Sequence, residues 1–289
     1  MRATNFLFFV KYYFKKHIGK FIFNQSISDN DTFWKRYFRT ARKIPLSIES
    51  FAPDEHIITS TDTAGITRKV HVRSGGSSDI KVFDQIFLEK EYQPLIEQIQ
   101  KRKLPVKYII DAGANVGYTS VVLQSAFPGS NLICIEPSSA NAKQIEKNFN
   151  LNHIANYQIV KAGLWSKNCW LTLKSDESND ADWAFYVVES DTDKGLNAVT
   201  LQSVVEKYDL PYIDILKIDI EGSEEQLFND EEAMKKILQK TKFLAMEIHD
   251  HVARREHIYE VLRAAGFEYF ESGELTIATH IALVDPVGH

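Results

Sequence analysis

The sequence predicts an α/β protein with a doubly wound parallel sheet, a C-terminal antiparallel hairpin and an N-terminal helical extension. Two observations support this prediction. Beyond Pro105, short apolar runs alternate with amphipathic helical stretches, which is the pattern of strands connected by crossover helices. Near the C-terminus, only Gly273 and Glu274 separate two strand-like runs, and this spacing suits a hairpin.

The individual elements follow one another regularly from residue 107 onward. The patterns predict strands over residues 107–111, 131–136, 157–165, 212–220, 242–249, 267–272 and 276–284. They predict helices over residues 116–127, 138–151, 201–208, 223–228, 231–238 and 252–265. Residues 168–188 are expected to form an antiparallel excursion with a polar tip. Upstream, residues 57–72 alternate as strands do, and residues 79–102 have helical spacing.

Composition limits the class of protein. Of the 289 residues, 44% are hydrophobic and 25% are charged, so most of the chain can bury a core and is not disordered. The two cysteines, Cys134 and Cys169, are too few for a disulfide framework and lack the spacing of a thiolate zinc site. This cysteine usage fits a reducing compartment, and we expect a cytoplasmic protein.

Charge divides the chain unevenly. Residues 1–50 carry ten Lys or Arg and three Asp or Glu, a balance of +7, and because the whole chain carries −5 the remainder carries −12. Residues 1–23 mix aromatic residues with lysine and are too interrupted to span a membrane. We interpret them as an amphipathic helix that either packs on the domain or contacts an anionic membrane peripherally. The basic patch at residues 35–43 has the same two interpretations. An accessory region is therefore predicted over residues 1–73.

A glycine-containing loop follows the first predicted strand. It contains Asp111, Gly113, Asn115 and Gly117, and its glycines allow a tight turn close to a ligand. Open α/β sheets bind ligands in the crevice beyond the carboxyl ends of their strands, where this loop lies. The G-x-N-x-G spacing differs from the dinucleotide motif, and Asp111 suits a cationic ligand better than a phosphate. Alone, the loop is also compatible with a structural turn.

The second and third strands narrow the choice of ligand. The second ends in Glu136 and Pro137, 25 residues after Asp111, where a carboxylate can accept hydrogen bonds from two ribose hydroxyls. The third ends near Ala162, which leaves room for an adenine edge to meet backbone groups. Together these features predict a nucleoside with a positively charged tail. S-adenosylmethionine matches, because it combines adenine, ribose and a sulfonium without a phosphate.

Several segments resemble the FkbM family of S-adenosylmethionine-dependent methyltransferases. These are IIDAGANVGYTS (109–120), ICIEPSS (133–139), VTLQSVV (199–205), DILKIDIEGSE (214–224) and LAMEIHD (244–250). The resemblance covers about residues 74–270, and we assign the methyltransferase domain to residues 74–289. It implies a Rossmann-like methyltransferase sheet and adds Tyr118 and Thr119 to the cofactor-binding residues. It also implies methyl transfer to a hydroxyl of a sugar, glycan or natural-product acceptor. Ser138 departs from the family, whose members often have Asn there.

Acidic residues close the fourth and fifth predicted strands. Asp219 and Glu221 are two apart, as are Glu247 and His249, so each pair is expected to point to one side of its strand. A hydroxyl is a weak nucleophile and needs a general base within hydrogen-bond reach. We therefore predict that these four residues are catalytic and that Asp219 also contacts the cofactor. Asp79, after the SGGSS loop, is a candidate for a lid over the acceptor.

Several alternatives stay open at this stage. The four catalytic candidates are also ligand types that Mg²⁺ or Mn²⁺ accepts, so a divalent metal is compatible with them without being specifically indicated. A nicotinamide-dependent sugar dehydrogenase or epimerase would share the fold and the ribose carboxylate. A module that binds S-adenosylmethionine without catalysis is a third class. Nucleic acid is disfavoured as a partner, because the catalytic portion is acidic and lacks the basic stripes that track phosphates.

Overall fold

A computed structural model describes residues 29–175, 185–190, 195–250 and 253–285 of the chain. The helix predicted over residues 1–23 therefore lies outside the described residues. The chain divides into two compact units. The first comprises residues 1–90 with 150–152, and the second comprises residues 91–149 with 153–289.

The first unit combines one small sheet with helices. Its elements are α1 (Asp29–Ala41), β1 (Leu46–Ala52), β2 (Glu55–Thr61), β3 (Thr67–Arg73), α2 (Asp79–Phe83) and a π-helical turn (Asp84–Leu88). The three strands pair antiparallel in the order β1-β2-β3. The alternating segment predicted over residues 57–72 is thus a hairpin, and alternate residues of β2 are buried.

Buried carboxylates hold the helices of the first unit. Asp84 is almost completely buried and accepts hydrogen bonds from the Arg39 guanidinium at 2.6 Å and from the Thr40 hydroxyl. The basic patch at residues 35–43 is consequently part of a packed helix. Asp79 is also buried and forms a two-point pair with Arg73, with oxygen–nitrogen distances of 2.7 and 2.9 Å. The suggestion that Asp79 is a lid residue is therefore wrong, because its carboxylate is committed to that pair.

The second unit contains the strands and helices predicted beyond residue 105. Its strands are β4 (Tyr108–Ala112), β5 (Asn131–Ile135), β6 (Tyr157–Val160), β7 (Gly163–Leu164), β8 (Cys169–Ser175), β9 (Phe185–Ser190), β10 (Leu196–Val199), β11 (Ile213–Ile218), β12 (Thr241–Glu247), β13 (Phe267–Ser272) and β14 (Leu275–His280). Its helices are α3 (Gln93–Arg102), α4 (Tyr118–Ala126), α5 (Ser139–Leu151), α6 (Leu201–Lys207), α7 (Glu224–Asn229), α8 (Glu231–Leu238), α9 (Arg255–Ala264) and α10 (Ile281–Val284).

Seven strands form the main sheet, in the order β13-β14-β12-β11-β4-β5-β6. Strands β6, β5, β4, β11 and β12 run parallel, and β14 runs antiparallel to both of its neighbours. The doubly wound sheet and the C-terminal hairpin are thus confirmed. The strand order reverses at β4, since β5 and β11 lie on its opposite sides. Such a reversal opens a crevice at the carboxyl ends of the strands, where ligands bind.

The run predicted as one strand over residues 157–165 breaks in two. Ala162 donates its N–H to the carbonyl of Val160 at 2.9 Å, which turns the chain sharply out of the main sheet. The following strand β7 pairs with β10 in a separate four-stranded sheet, ordered β7-β10-β8-β9. Strands β8 and β9 are antiparallel, in agreement with the predicted excursion. Its polar tip lies largely outside the described residues.

The C-terminal prediction differs in one detail. The last strand ends at His280, and the apolar residues that follow form the short helix α10. Apolar composition alone cannot distinguish a strand from a short buried helix. Among the described residues, no helix combines the length and the apolar character that a membrane crossing requires.

Candidate functional site

The loop after β4 lies against the backbone that follows β11. Gly113 has a φ of +76°, and a Cβ placed there would lie 1.7 Å from the carbonyl oxygen of Asp219. The N–H of Asp219 in turn donates to the carbonyl of Ala112 at 3.1 Å. Asn115 and Gly117 also have left-handed backbones, with φ of +50° and +81°. The G-x-N-x-G spacing therefore shapes a tight loop that only glycine permits at residue 113.

Glu136 ties this loop to the end of β5. Its side chain is nearly buried, and its two carboxylate oxygens accept the N–H groups of Asn115 and Ser138, each at 2.8 Å. Burial raises the pKa of Glu136 above its ordinary value, although these two N–H groups oppose the shift. A carboxylate has about four lone-pair sites, so it retains acceptor capacity for ribose hydroxyls. Asn141 extends the network, donating to the side-chain oxygen of Asn115 at 3.2 Å.

The remaining cofactor-binding candidates lie at or just after the ends of the first three strands of the main sheet. Tyr118 and Thr119 open α4 and are buried, Ala162 is fully buried at the turn after β6, and Pro137 is half-buried beside Glu136. The assignment of these residues to the cofactor stays a prediction. Their placement at the carboxyl ends of β4, β5 and β6 agrees with the crevice expected for this fold.

Asp111 has protein partners that the sequence did not indicate. Its carboxylate is fully buried, lies 3.2 Å from the Lys217 ammonium and accepts the Ser120 hydroxyl at 2.7 Å. Lys217 also donates to the carbonyl of Gly113 at 2.6 Å and lies 3.6 Å from the Asp219 carboxylate. Burial lowers the pKa of a lysine, but here Asp111 and Asp219 outweigh burial and hold it above its ordinary value. Lys217 thus fixes the glycine loop.

The four catalytic candidates come together beyond β11 and β12. Oxygen or nitrogen atoms of Asp219, Glu247 and His249 lie within 4.8 Å of one another. The His249 Nε2 atom lies 3.5 Å from a Glu247 oxygen and 3.8 Å from a Glu221 oxygen. Burial and the Asp219 carboxylate raise the pKa of Glu247 to about 7. Such a set offers both proton acceptors and oxygen ligands, so a divalent metal stays an open alternative.

The prediction that Asp219 and Glu221 point to one side of a common strand is wrong. Strand β11 ends at Ile218, and Glu221 has a left-handed backbone with a φ of +54°. The two residues therefore do not lie on one extended strand, and strand geometry does not direct their side chains to the same side. Glu221 approaches His249 because the chain turns, and its side chain is 89% exposed. A left-handed backbone at a residue with a Cβ is uncommon and is maintained by surrounding structure.

Glu224 is a member of the cluster that sequence reasoning missed. It is fully buried at the first position of α7, and one oxygen accepts the N–H groups of Ile220 and Gly222 at 3.2 and 3.3 Å. The same oxygen lies 3.0 Å from His249 Nδ1. Burial lowers the pKa of an imidazole, but Glu224, Glu247 and Asp219 outweigh it and raise the pKa of His249. The sequence signal that could have indicated it was a glutamate in the first turn of the helix predicted over residues 223–228.

Comparison with known proteins identifies the class of protein. The model of the methyltransferase FkbM domain matches residues 111–269, which is more than half of the chain. The chain belongs to the FkbM methyltransferase family, and the resemblance seen in the sequence is confirmed. The match begins at Asp111, contains the glycine loop and Glu136, and extends past His249.

A more distant curated relative is Methyltransferase 1 of Beauveria bassiana (strain ARSEF 2860). It is 27% identical over 66 residues, which are 23% of this chain and 26% of the relative. The chain thus matches about a quarter of that protein's length.

Three solved structures illustrate the structural similarity at low sequence identity. The METTL16 MTase domain has a TM-score of 0.44 and 12% identity, covering 86% of this chain and 90% of its own. Magnesium protoporphyrin IX methyltransferase from Synechocystis PCC 6803, solved with bound SAM, has a TM-score of 0.37 and 13% identity, covering 67% and 84%. Precorrin-6y C5,15-methyltransferase from Geobacter metallireducens GS-15 has a TM-score of 0.35 and 14% identity, covering 64% and 86%. The functional class rests on the family match.

Proposed function

We propose that this methyltransferase uses S-adenosylmethionine to methylate a hydroxyl group of a sugar, glycan or natural-product acceptor. One observation carries the proposal. The loop beside Glu136 contacts the backbone of Asp219, whose side chain belongs to the cluster with Glu247 and His249. A nucleoside held by the loop would therefore place its reactive tail beside groups that can accept a proton.

The charges of the site favour a cationic cofactor. Asp219, Glu221 and Glu247 lie at the carboxyl ends of the central strands, where their carboxylates attract a sulfonium or amino group. A pyrophosphate would meet the same carboxylates as like charges. This repulsion supports S-adenosylmethionine over a nicotinamide dinucleotide. A sugar dehydrogenase or epimerase would need the dinucleotide. Glu136 would hold the ribose in either case.

The proton-accepting groups favour oxygen as the methyl acceptor. In-line displacement on a sulfonium mainly requires that the acceptor lie at attack distance with its electron pair available. An alcohol reaches that state only when a base takes its proton. Glu247, with a pKa of about 7, and the neighbouring His249 are suited to this role near neutral pH.

The acceptor pocket and the cellular location complete the proposal. Trp34 and Trp165 are buried and contribute to the cores of their units, whereas Trp170 is 38% exposed and available for stacking. The fourth tryptophan, Trp183, lies outside the described residues.

We propose a cytoplasmic enzyme that does not act on nucleic acid, with peripheral membrane contact through residues 1–23 as an additional proposal.

Calorimetric titration tests the cofactor. We expect S-adenosylmethionine and S-adenosylhomocysteine to bind the full chain and NAD not to bind. Glu136→Gln should weaken S-adenosylhomocysteine binding by roughly tenfold to a hundredfold, since a hydrogen bond to a charged group is worth about 1.5–3 kcal/mol. Glu146→Gln, on the exposed side of α5, is the matched control. Binding of NAD alone would overturn the proposal.

A screen for radiolabelled methyl transfer tests the acceptor. Hydroxylated sugars, glycans and small natural products are incubated with the full chain, and Asp219→Ala is the negative control. Labelled ether products with the wild-type protein are expected. Full activity of Asp219→Ala would remove that residue from the site, and cofactor binding without any methylated product would favour a non-catalytic module.

A further inference from the structure

The contact between Glu224 and His249 joins two segments that are 25 residues apart. Glu224 is fully buried, and one of its carboxylate oxygens lies 3.0 Å from His249 Nδ1. The N–H groups of Ile220 and Gly222 donate to the same oxygen. Burying a carboxylate is costly unless donors or a cation compensate for the lost water. Glu224 and His249 therefore stabilise each other.

This contact determines which imidazole nitrogen can take up a proton. An ionised carboxylate only accepts hydrogen bonds, so Nδ1 carries the hydrogen in the neutral ring and Nε2 carries the lone pair. Nε2 is the nitrogen that lies beside the carboxylates of Glu247 and Glu221, at 3.5 and 3.8 Å. The ring is thus oriented with its basic nitrogen toward the predicted catalytic cluster.

We propose that Glu224 and His249 form a dyad in which Glu224 orients the imidazole and His249 deprotonates the hydroxyl of an uncharged acceptor. The inference rests on the proposed methyl transfer. In that step the acceptor O–H proton moves to Nε2 while the oxygen forms a bond to the methyl carbon. The bond from that carbon to sulfur breaks, its electron pair stays on sulfur, and S-adenosylhomocysteine leaves. The imidazolium then releases its proton to water.

The surrounding charges restrict the class of acceptor. Asp219, Glu221, Glu224 and Glu247 all face or approach the imidazole, from the ends of β11 and β12 and from α7. They stabilise the imidazolium that proton transfer creates. The same carboxylates repel an acceptor that carries a phosphate or a carboxylate. Neutral alcohols, such as unmodified sugar hydroxyls, therefore fit the site better than anionic acceptors.

Glu224 is a positioning residue here, and NMR of the histidine rings tests its role without a known acceptor. Full-length protein saturated with S-adenosylhomocysteine is titrated, and the His249 signal is identified as the one missing in His249→Gln. In wild type we expect the neutral ring to carry its hydrogen on Nδ1. Glu224→Gln should lower the ratio of this tautomer by about tenfold, as expected when a charge-assisted hydrogen bond is lost. It should also move the titration of His249 to lower pH.

A neighbouring residue provides the matched control. Glu225 pairs with Arg254 and not with the imidazole, so Glu225→Gln should leave the His249 signal unchanged. Glu224→Asp should restore part of the tautomer ratio. An unchanged tautomer and titration in Glu224→Gln would overturn the dyad.

The two proposals fail in different ways. Failure to bind S-adenosylhomocysteine contradicts the proposed function, whereas normal binding with an unaltered His249 signal contradicts only the dyad. With an acceptor from the screen, methyl transfer should rise with pH as His249 loses its proton. In Glu224→Gln this rise should occur at lower pH and reach a plateau at least about tenfold lower. An equal loss at every pH, with the rise unmoved, would indicate a purely structural role.

Discussion

Gly113 shows how the geometry of one residue constrains the site. It combines a left-handed φ with backbone contact to Asp219, so it joins the glycine loop to the strand end that carries the candidate catalytic cluster. Gly129 also has a left-handed φ, of +84°, but nothing lies within 4 Å of a Cβ placed there. The two glycines therefore separate the effect of conformation from the effect of close approach.

The first prediction compares alanine at these two glycines. Both substitutions force alanine into a left-handed backbone, but only Gly113→Ala also creates a clash with the Asp219 carbonyl. We expect Gly113→Ala to lower the free energy of unfolding by about 1–3 kcal/mol more than Gly129→Ala does. Urea denaturation measures both variants. Equal losses would show that the loop relaxes without cost.

Glu247 is a second residue whose environment has a measurable consequence. Burial and Asp219 raise its pKa from 4.5 to about 7. Between these values the folded protein retains a proton that the unfolded chain has released. The contribution of Glu247 to stability therefore falls as the pH rises through this window and stays unfavourable above it.

The second prediction is that Glu247→Gln stabilises the protein at alkaline pH. The variant and the wild type should melt at similar temperatures near about pH 4, and the variant should melt higher at about pH 8. Thermal denaturation followed across this range provides the measurement. Glu268→Gln, at an exposed position of β13, is the control and should show no such crossover. A variant less stable than wild type at both pH values would disprove this account.

At the scale of elements, the register between β4 and β11 pairs Asp111 with Lys217. All six residues of β11 are buried, so a lysine there needs a carboxylate partner on the adjacent strand. The same ammonium also contacts the carbonyl of Gly113. The strand pairing therefore supplies the charge that holds the loop in place.

The third prediction concerns this buried pair. Lys217→Met leaves Asp111 buried without its cation, and we expect a loss of about 3–5 kcal/mol in the free energy of unfolding. The double variant Asp111→Asn with Lys217→Met should be more stable than Lys217→Met alone, because no unpaired charge remains. Chemical denaturation of the three proteins checks the order. Additive losses would mean that the two side chains act independently.

At the scale of the whole molecule, the basic N-terminal residues lie outside the family match. The family match starts at residue 111, well beyond the basic residues 1–50. The carboxylates of the candidate site all belong to the second unit. The acidic candidate site and the basic N-terminal residues thus belong to different segments of the chain.

The fourth prediction is that removal of residues 1–20 leaves cofactor binding intact. Asp111, Glu136 and Asp219 all lie in the second unit, so the affinity for S-adenosylhomocysteine should change by no more than about 0.5 kcal/mol. Calorimetry on the shortened and full chains provides the comparison. Complete loss of binding would show that the segment belongs to the core of the fold.

The sequence by itself determined the order of elements and the position of the glycine loop. Apolar periodicity is a local property, so the strands at residues 131–136 and 267–272 were predicted to within one residue of Asn131–Ile135 and Phe267–Ser272. The ends of parallel strands meet at one edge of a sheet, which is why the sequence alone predicts Glu136 and Asp219 in the same crevice.

Only the tertiary structure decided which charges meet. Lys217 reaches Asp111 through strand register, and Glu224 reaches His249 because the chain turns at Glu221 in a left-handed conformation. Contacts between residues distant in the chain depend on how elements pack, and local periodicity does not encode that packing. The residue types of the site were therefore readable from the sequence, but the pairing that sets their protonation was not.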